Sequence, residues 1–213
     1  MEQDIERRET ENELVYIAPD AVPGARRRRG SLEAKAILDA LREGLTVRVS
    51  NAVVSGDLVL DSETIRSRIH MERCDFLGTV DMRYCHFAKP IWLLNCRFAQ
   101  PVDLTGAIFD YELRGSESTF AGPVDLYGAI VAHLMRPGAR FADRASFVSI
   151  LVNGVLQMSR AHFRKGVTFN GGRVSGGVWL DDCLSGGNID FVTSEIGGIV
   201  LLRIWSRITS RHV

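Results

Sequence analysis

Residues 96–109 read CRFAQPVDLTGAIF. Large apolar side chains fall at Phe98, Leu104 and Phe109, so they recur after six residues and then after five. This spacing matches neither the 3.6-residue period of an amphipathic helix nor the two-residue period of a half-buried strand. A different kind of structure must therefore bring these side chains to a common core.

The same alternation of five and six residues extends along most of the chain. If the register slips once near Arg136–Pro137–Gly138, the spacing defines 26 positions from Leu60 to Leu202, and 24 of them are apolar. Roughly 12 would be apolar by chance, because the chain is 46% hydrophobic. The two exceptions are Gly115 and Ser185. Similar segments begin at residues 74, 85, 96 and 118, and they read CDFLGTVDM, CHFAKPIWL, CRFAQPVDL and STFAGPVDL.

A chain that turns a corner after each short inward segment explains this period. Such a chain winds as a coil, and successive coils pair with one another at about 4.8 Å, as parallel strands do. One coil cannot bury its own inward side chains, so stacking creates the continuous core. The repeat therefore predicts an all-β solenoid.

The repeated units resemble those of the pentapeptide-repeat family, whose unit is roughly A-(D/N)-L-x-x. VDLTG and VDLYG fit this unit, and so does a series of alanines two residues before inward positions: Ala107, Ala129, Ala139, Ala145 and Ala161. The resemblance covers 47–205 and implies a right-handed, four-sided parallel β-helix. Alternate units here carry one extra residue, which makes about 22 residues per coil instead of about 20. A three-sided right-handed β-helix with coils of about 22 residues is the alternative.

The chain divides into four segments. Residues 1–30 are rich in charge and turn-forming residues, which predicts a flexible arm. Residues 31–46 contain SLEAKAILDALREG, which predicts a short capping helix with Ser31 as N-cap and Gly44 just after its end. One helical stripe is apolar and needs a surface to cover: Ala34, Ile37, Leu38, Leu41 and Leu45. The β-helix follows over 47–205, and 206–213 form a polar tail.

Composition excludes several classes of protein. Lys plus Arg equals Asp plus Glu, 26 of each, so the net charge gives no reason to expect a nucleic acid as a direct partner. No run of about 18 apolar residues predicts a transmembrane helix. The charged N-terminus lacks the apolar region of a signal peptide, and there are only four cysteines. A cytoplasmic protein is expected.

The four cysteines do not have the spacing of a metal site. Cys74, Cys85 and Cys96 are eleven residues apart, and Cys183 falls in the equivalent position. Metal sites use closer pairs such as CxxC. The cysteines are expected to fill the small inward position that alanine fills elsewhere. No motif for a phosphate-binding loop, a dinucleotide or zinc is present, so the sequence predicts no catalytic residue, cofactor or metal.

Two outward columns contain the candidate contact residues. Asp81, Asp103 and Asp125 are 22 residues apart and should stack on one face. They form either an acidic stripe that imitates DNA phosphates or binds a cation, or ordinary corner aspartates of the repeat. His70, Trp92 and Arg114 should stack on the opposite face. Trp92 and Trp179 are candidate contacts, either for a partner or for the N-terminal arm. The run Arg26–Arg29 either binds phosphates or anionic lipid, or is a solvated linker.

These features favour a non-enzymatic module that binds an unidentified protein. The segment IGGIVLLRIW would leave the apolar end of the coil uncovered, which predicts a homodimer through this end. Its candidate contacts are Ile199, Leu201, Leu202, Ile204 and Trp205.

Two alternatives remain. The family resemblance also implies a DNA mimic that binds a type II topoisomerase, although residues 45–205 contain 16 basic and 16 acidic residues. A carbohydrate-active β-helix enzyme would use carboxylates such as Asp181, Asp182 and Asp190.

Overall fold

The chain winds as a solenoid of short parallel strands, which confirms the fold predicted from the repeat. A computed structural model describes residues 6–10, 13–17 and 30–206. About 8 turns surround one core, and strands account for 49% of the chain. The single helix of the described residues is α1 (Ala34–Arg42). The strands, in chain order, are β1 (Glu6–Thr10), β2 (Glu13–Ile17), β3 (Gly30–Glu33), β4 (Thr46–Ser50), β5 (Ala52–Ser55), β6 (Leu58–Val59), β7 (Thr64–Ile65), β8 (Ile69–Glu72), β9 (Asp75–Phe76), β10 (Val80–Asp81), β11 (His86–Phe87), β12 (Ile91–Leu94), β13 (Arg97–Phe98), β14 (Val102–Asp103), β15 (Ile108–Arg114), β16 (Thr119–Phe120), β17 (Val124–Asp125), β18 (Ile130–Met135), β19 (Arg140–Phe141), β20 (Ala145–Ser146), β21 (Leu151–Val152), β22 (Leu156–Gln157), β23 (His162–Phe163), β24 (Val167–Thr168), β25 (Arg173–Val174), β26 (Val178–Ser185), β27 (Ile189–Asp190), β28 (Glu195–Ile196) and β29 (Val200–Ser206).

From β3 to β29, each strand pairs in parallel with its counterpart one coil away. Strand β10 lies between β6 and β14, for example, with Val80 opposite Leu58 on one side and Val102 on the other. The step between partners is 22 residues, as the alternation of five and six requires. In the middle coils four strand segments follow one another per turn, such as β10, β11, β12 and β13. The right-handed winding and the four-sided cross-section stay predictions.

One coil is a residue shorter, and the shortening does not lie where the sequence predicts it. Phe109 pairs with Val131, whereas Glu112 pairs with His133, so β18 has one residue fewer than β15 between these points. The slip expected near Arg136 therefore occurs before it. Arg136 itself takes an inward position and is 1% exposed.

Residues with left-handed backbone conformation recur every eleven positions, with one step of ten. They fall in the five-residue steps, as Arg73 does between Met71 and Phe76. The next residue is small and inward in most of these corners, as Cys74 is. This conformation costs an L-residue about 1–2 kcal/mol, so the stacked coils must hold it in place. The series is Asn51, Ser62, Arg73, Tyr84, Asn95, Gly106, Glu117, Gly128, Gly138, Ser149, Arg160, Gly171, Asp182 and Thr193.

The core is built from rows of identical side chains. Phenylalanine rings in neighbouring coils stack nearly parallel, with centroids 4.7–5.1 Å apart. Each stacked pair contributes about 0.5–1.5 kcal/mol beyond its buried area. Adjacent coils are separated by nearly the same distance as stacked rings. The winding of the chain therefore places the rings in contact. The longest row is Phe76, Phe98, Phe120, Phe141 and Phe163.

The cysteines fill the small inward position, as predicted. All four are buried, and none of them forms a disulfide. Each thiol donates to a carbonyl 25 residues earlier, as Cys183 Sγ does to Met158 O at 3.1 Å. Ser118 makes the same contact with Leu93 O at 2.7 Å. Burial raises the pKa of the Cys183 thiol to about 11, so it stays protonated at neutral pH.

Helix α1 covers the N-terminal end of the core. Its buried residues include Ile37 and Leu41, and it packs against β4 and β6. The helix begins later than the sequence predicts, because residues 30–33 pair in parallel with β5 as strand β3. Ser31 is therefore not the N-cap; that position is Glu33, whose side chain makes no capping hydrogen bond. Gly44 does follow the helix end with a φ of 77°.

Part of the predicted flexible arm belongs to the solenoid. Strand β2 pairs in parallel with β4, and β1 pairs antiparallel with β2. Leu14 and Tyr16 are buried, and the Tyr16 hydroxyl donates to Ser31 O at 2.8 Å. Leu14 and Tyr16 are two residues apart, so both point inward and supply the face that this pairing needs. The prediction of a flexible arm is therefore wrong for residues 13–17.

Candidate functional site

Strand β29 forms the outer edge of the ladder at the C-terminal end of the described solenoid. It pairs with β26, which places Leu201 opposite Trp179 and Trp205 opposite Leu184. No other strand in the described part of the chain pairs with β29. Its outer N–H and C=O groups are therefore available to another strand.

The side chains at this edge are apolar and exposed. Leu202 is 53% exposed, whereas Leu180 at the same position one coil earlier is fully buried. Ile199 is 71% exposed and Trp205 is 58% exposed. The structure brings together all five residues that the sequence predicts for this end: Ile199, Leu201, Leu202, Ile204 and Trp205.

The predicted aspartate column is present, with consecutive pairing of Asp81, Asp103 and Asp125. Asp103 Oδ1 accepts a hydrogen bond from the backbone N–H of Thr105 at 2.9 Å, and Asp125 does the same for Tyr127. These carboxylates therefore hold the chain at the corner two residues on, a common role of aspartate in turns.

A positively charged side chain, that of Arg83, lies within the aspartate column. Arg83 donates to both carboxylate oxygens of Asp81 at 2.8 Å, and its Nε lies 3.9 Å from Asp103. The next residues in the column beyond Asp125 are neutral, Ser146 and Thr168. The column is thus a short acidic segment, partly neutralised.

The second predicted column, His70, Trp92 and Arg114, is also present. Trp92 Nε1 donates to Glu112 at 2.6 Å. The guanidinium of Arg114 lies 5.8 Å from the ring centre of Trp92, a cation–π distance. The polar group of Trp92 is therefore occupied within the chain, so this tryptophan is a weaker candidate contact than those at the β29 edge.

Trp179 continues the same column further along the solenoid. It lies between Gln157 and Leu201 in the ladder and is half-buried. The column therefore joins Trp179 to the exposed edge of β29.

The carboxylates considered for an enzyme have local partners. Asp181 accepts a hydrogen bond from Ser159, and Asp182 pairs with Arg203 at 3.3 Å. Asp190 lies on a different strand, β27. Among the described residues no group of three or more His, Cys, Asp or Glu side chains is placed to hold a metal ion. Arg26–Arg29 lie outside the described residues.

One candidate functional residue, Arg136, could not be found from the spacing of apolar residues. Arg136 is buried in the core, and neither its Nε nor its Nη1 has a hydrogen-bond partner in the described part of the protein. Its guanidinium carbon lies 5.2 Å from the ring centre of Phe120. Burial lowers its pKa to about 10. The signal that could have found it is Gly115, the exception to the apolar rule one coil earlier.

Comparisons with protein-family models, with curated proteins and with solved structures found no match to this chain. The pentapeptide-repeat resemblance therefore stays a prediction. The helix α1 is too short to cross a membrane, and the described residues contain no other helix.

Proposed function

We propose that the protein is a non-enzymatic interaction module that pairs with a second copy of itself through β29. The proposal is carried by the exposed apolar row on β29, whose members Leu202 and Trp205 are more than half exposed. Large apolar patches on a surface mark sites of protein association. The remaining faces of the paired solenoids would then be available to a protein partner.

Pairing of two copies about a twofold axis at this edge would both satisfy the unpaired backbone hydrogen-bonding groups and bury the apolar side chains. Two copies of β29 would pair antiparallel, since a twofold axis perpendicular to a strand reverses its direction. Seven residues on each side would then exchange hydrogen bonds that each edge lacks on its own. Val200 and Leu202 would become buried against their counterparts, as Val178 and Leu180 are one coil earlier.

The two ends of the solenoid differ in a way that favours this edge. At the N-terminal end, α1 covers the core with Ile37 and Leu41, and β1 pairs with β2 by turning back on it. Leu14, Tyr16, Ile37 and Leu41 at that end are buried, whereas the apolar side chains on β29 are exposed. Self-association is therefore expected at the β29 end.

The proposal also covers the fold family of the protein, the handedness of its winding and its cellular location. The 22-residue ladder and the small inward positions support a four-sided, right-handed pentapeptide-repeat helix. The four cysteines form no disulfide, which supports the cytoplasm, because disulfides are rare in a reducing compartment.

The two alternatives have less support. A DNA mimic needs an extended negative surface, whereas the aspartate column has three members and contains Arg83. An enzyme needs converging groups, and Asp181 and Asp182 are engaged with Ser159 and Arg203.

Light scattering coupled to gel filtration tests the proposal. The chain mass is 23.6 kDa, and we expect a species of about twice this mass at micromolar concentration. Leu202→Asp should dissociate it, because the substitution places a charge in the pairing surface. Leu77→Asp is the matched control, since Leu77 is also about half exposed, at 51%, but lies in the middle of the solenoid. A monomer at high protein concentration, or equal dissociation by both variants, would contradict the proposal.

A further inference from the structure

A narrow cavity follows the solenoid core from α1 to Arg136. Its volume is about 40 Å³. The guanidinium of Arg136 is the one polar side chain in a lining otherwise made of apolar residues, among those the structure describes. The lining includes Leu41, Leu58, Phe87, Leu104 and Phe120.

We propose that the cavity binds a small monovalent anion, of the size of chloride or bromide, against the guanidinium of Arg136, where it accepts a hydrogen bond from Nε–H or Nη1–H. These two donors point to opposite edges of the planar guanidinium, so one ion accepts from one of them while it offsets the charge of the whole group. Both are fully buried and unpartnered among the described residues.

The charge of Arg136 requires such a partner. Its pKa of about 10 leaves it protonated at neutral pH, despite the burial that lowers this value. An unpaired ion in an apolar interior is strongly unfavourable, and removal of one partner from a buried pair is correspondingly destabilising. The ring of Phe120 interacts with the cation but accepts neither of the two N–H groups as an oxygen or halide would. Water could accept a hydrogen bond, but it would leave the charge uncompensated.

The size and polarity of the cavity select the anion. A single water molecule needs about 10–15 Å³ of cavity volume. A cavity of about 40 Å³ therefore has room for a small ion and not for a large one. Its walls offer one positive charge. A divalent anion such as sulfate would therefore keep an uncompensated charge, and a long alkyl carboxylate would exceed the volume.

The sequence adapts to arginine at this position. The same inward position in the surrounding coils is occupied by Met71, Leu93, Met158 and Leu180, and all are apolar. Gly115 precedes Arg136 in this row and leaves space for its side chain. Methionine is therefore a well-matched replacement for Arg136, since the row already contains it.

The direct test is a crystal structure of the protein refolded and crystallised in sodium bromide. Refolding in bromide lets the ion enter before the core closes. We expect an anomalous peak within about 3.5 Å of either Nε or Nη1 of Arg136. A core without a peak at this place would overturn the proposal, whatever else binds bromide on the surface.

Thermal unfolding gives a second test, with chloride exchanged for gluconate at constant ionic strength. Above the dissociation constant, the midpoint should rise by about 3–5 °C per tenfold increase in chloride. Arg136→Met should remove this dependence, and Arg140→Met, at an exposed arginine, should retain it. A chloride response that persists in Arg136→Met, or a larger response to sulfate than to chloride, would overturn the proposal. If Arg136→Met does not fold, the bromide structure of the unmodified protein still decides.

Discussion

Gly115 and Arg136 occupy the same inward position in neighbouring coils, and the glycine makes room for the arginine. A Cβ at residue 115 would lie 2.7 Å from Nη1 of Arg136, closer than packed atoms approach. The backbone fixes this relationship, because Gly115 N donates to Met135 O at 2.9 Å in the ladder. Gly115 and Arg136, which both depart from the apolar pattern, are therefore one feature.

Gly115→Ala should destabilise the protein by about 1–3 kcal/mol, the usual range for overpacking a closed core. Arg136 is fully enclosed and cannot swing away from the added methyl group. In the background of Arg136→Met the cost should fall, since the more flexible methionine adapts to the methyl group. Urea unfolding of the two single variants and the double variant measures the coupling. Additive losses would show that the two positions do not interact.

The spacing of apolar residues was sufficient to predict the solenoid and most of its core. A step of five or six places Phe98 and Phe120 in one row wherever the coils are stacked, so periodicity alone determines their burial. It could not predict Arg136 as a core residue, because a rule based on hydrophobicity treats arginine as an interruption. A register based on apolar residues alone therefore passes over Arg136.

The candidate surfaces were predictable where they depend on position along the ladder. Leu201 and Trp205 fall at an edge because the series of inward apolar positions stops at Leu202. Side-chain partners were not predictable in this way. Trp92 bonds to Glu112, which is two positions out of register in the next coil, and this contact depends on rotamers. The sequence does not predict strand β3, because its residues Gly30–Glu33 also fit the start of a helix.

The thiols should be unreactive in the folded protein. All four are buried, and burial raises the pKa of Cys85 and Cys183. Because the thiolate is the reactive form, Ellman's reagent at pH 8 should modify none within minutes and all four in denaturant. Cys96→Ser should fold, since Ser118 makes the equivalent contact one coil later. Rapid modification of a thiol in the native protein would contradict the buried arrangement.

Ile37→Asp should unfold the N-terminal end of the solenoid. Ile37 is fully buried where α1 covers the core, and a carboxylate there has no partner. We expect a loss of about 3–5 kcal/mol, or aggregation, by urea unfolding and light scattering. Lys35→Ala, on the exposed face of the same helix, should change stability by less than about 0.5 kcal/mol. Equal stability of the Ile37 variant would show that the helix does not protect the core.

Replacement of Thr193 by asparagine should stabilise the folded protein. Its φ is 56°, a left-handed conformation that is especially unfavourable for a side chain branched at Cβ. Asparagine tolerates this conformation, so Thr193→Asn should raise stability by about 0.5–1 kcal/mol. Thr193→Val keeps the branch and should give no gain. The comparison by urea unfolding isolates the backbone effect, and a gain in the valine variant would contradict it.

Stability should decrease as the pH falls below about 6.5, and His70 should be a cause. Burial, assisted by nearby Arg48, lowers the pKa of His70, whereas Glu72 acts in the opposite direction. Its Nε2 is buried without a hydrogen-bond partner among the described residues. Because the unfolded chain then binds a proton at a higher pH than the folded one, unfolding is favoured as the pH falls through 6.5.

Urea midpoints measured from pH 7.5 to 5.5 test this role of His70. The range lies above the region where the lowered pKa values of Asp57 and Glu195 contribute. The unmodified protein should lose stability toward pH 5.5, and His70→Gln should lose less, since glutamine does not titrate. His133→Gln serves as the control at an exposed histidine. If His70→Gln follows the same pH profile as the unmodified protein, another group is responsible.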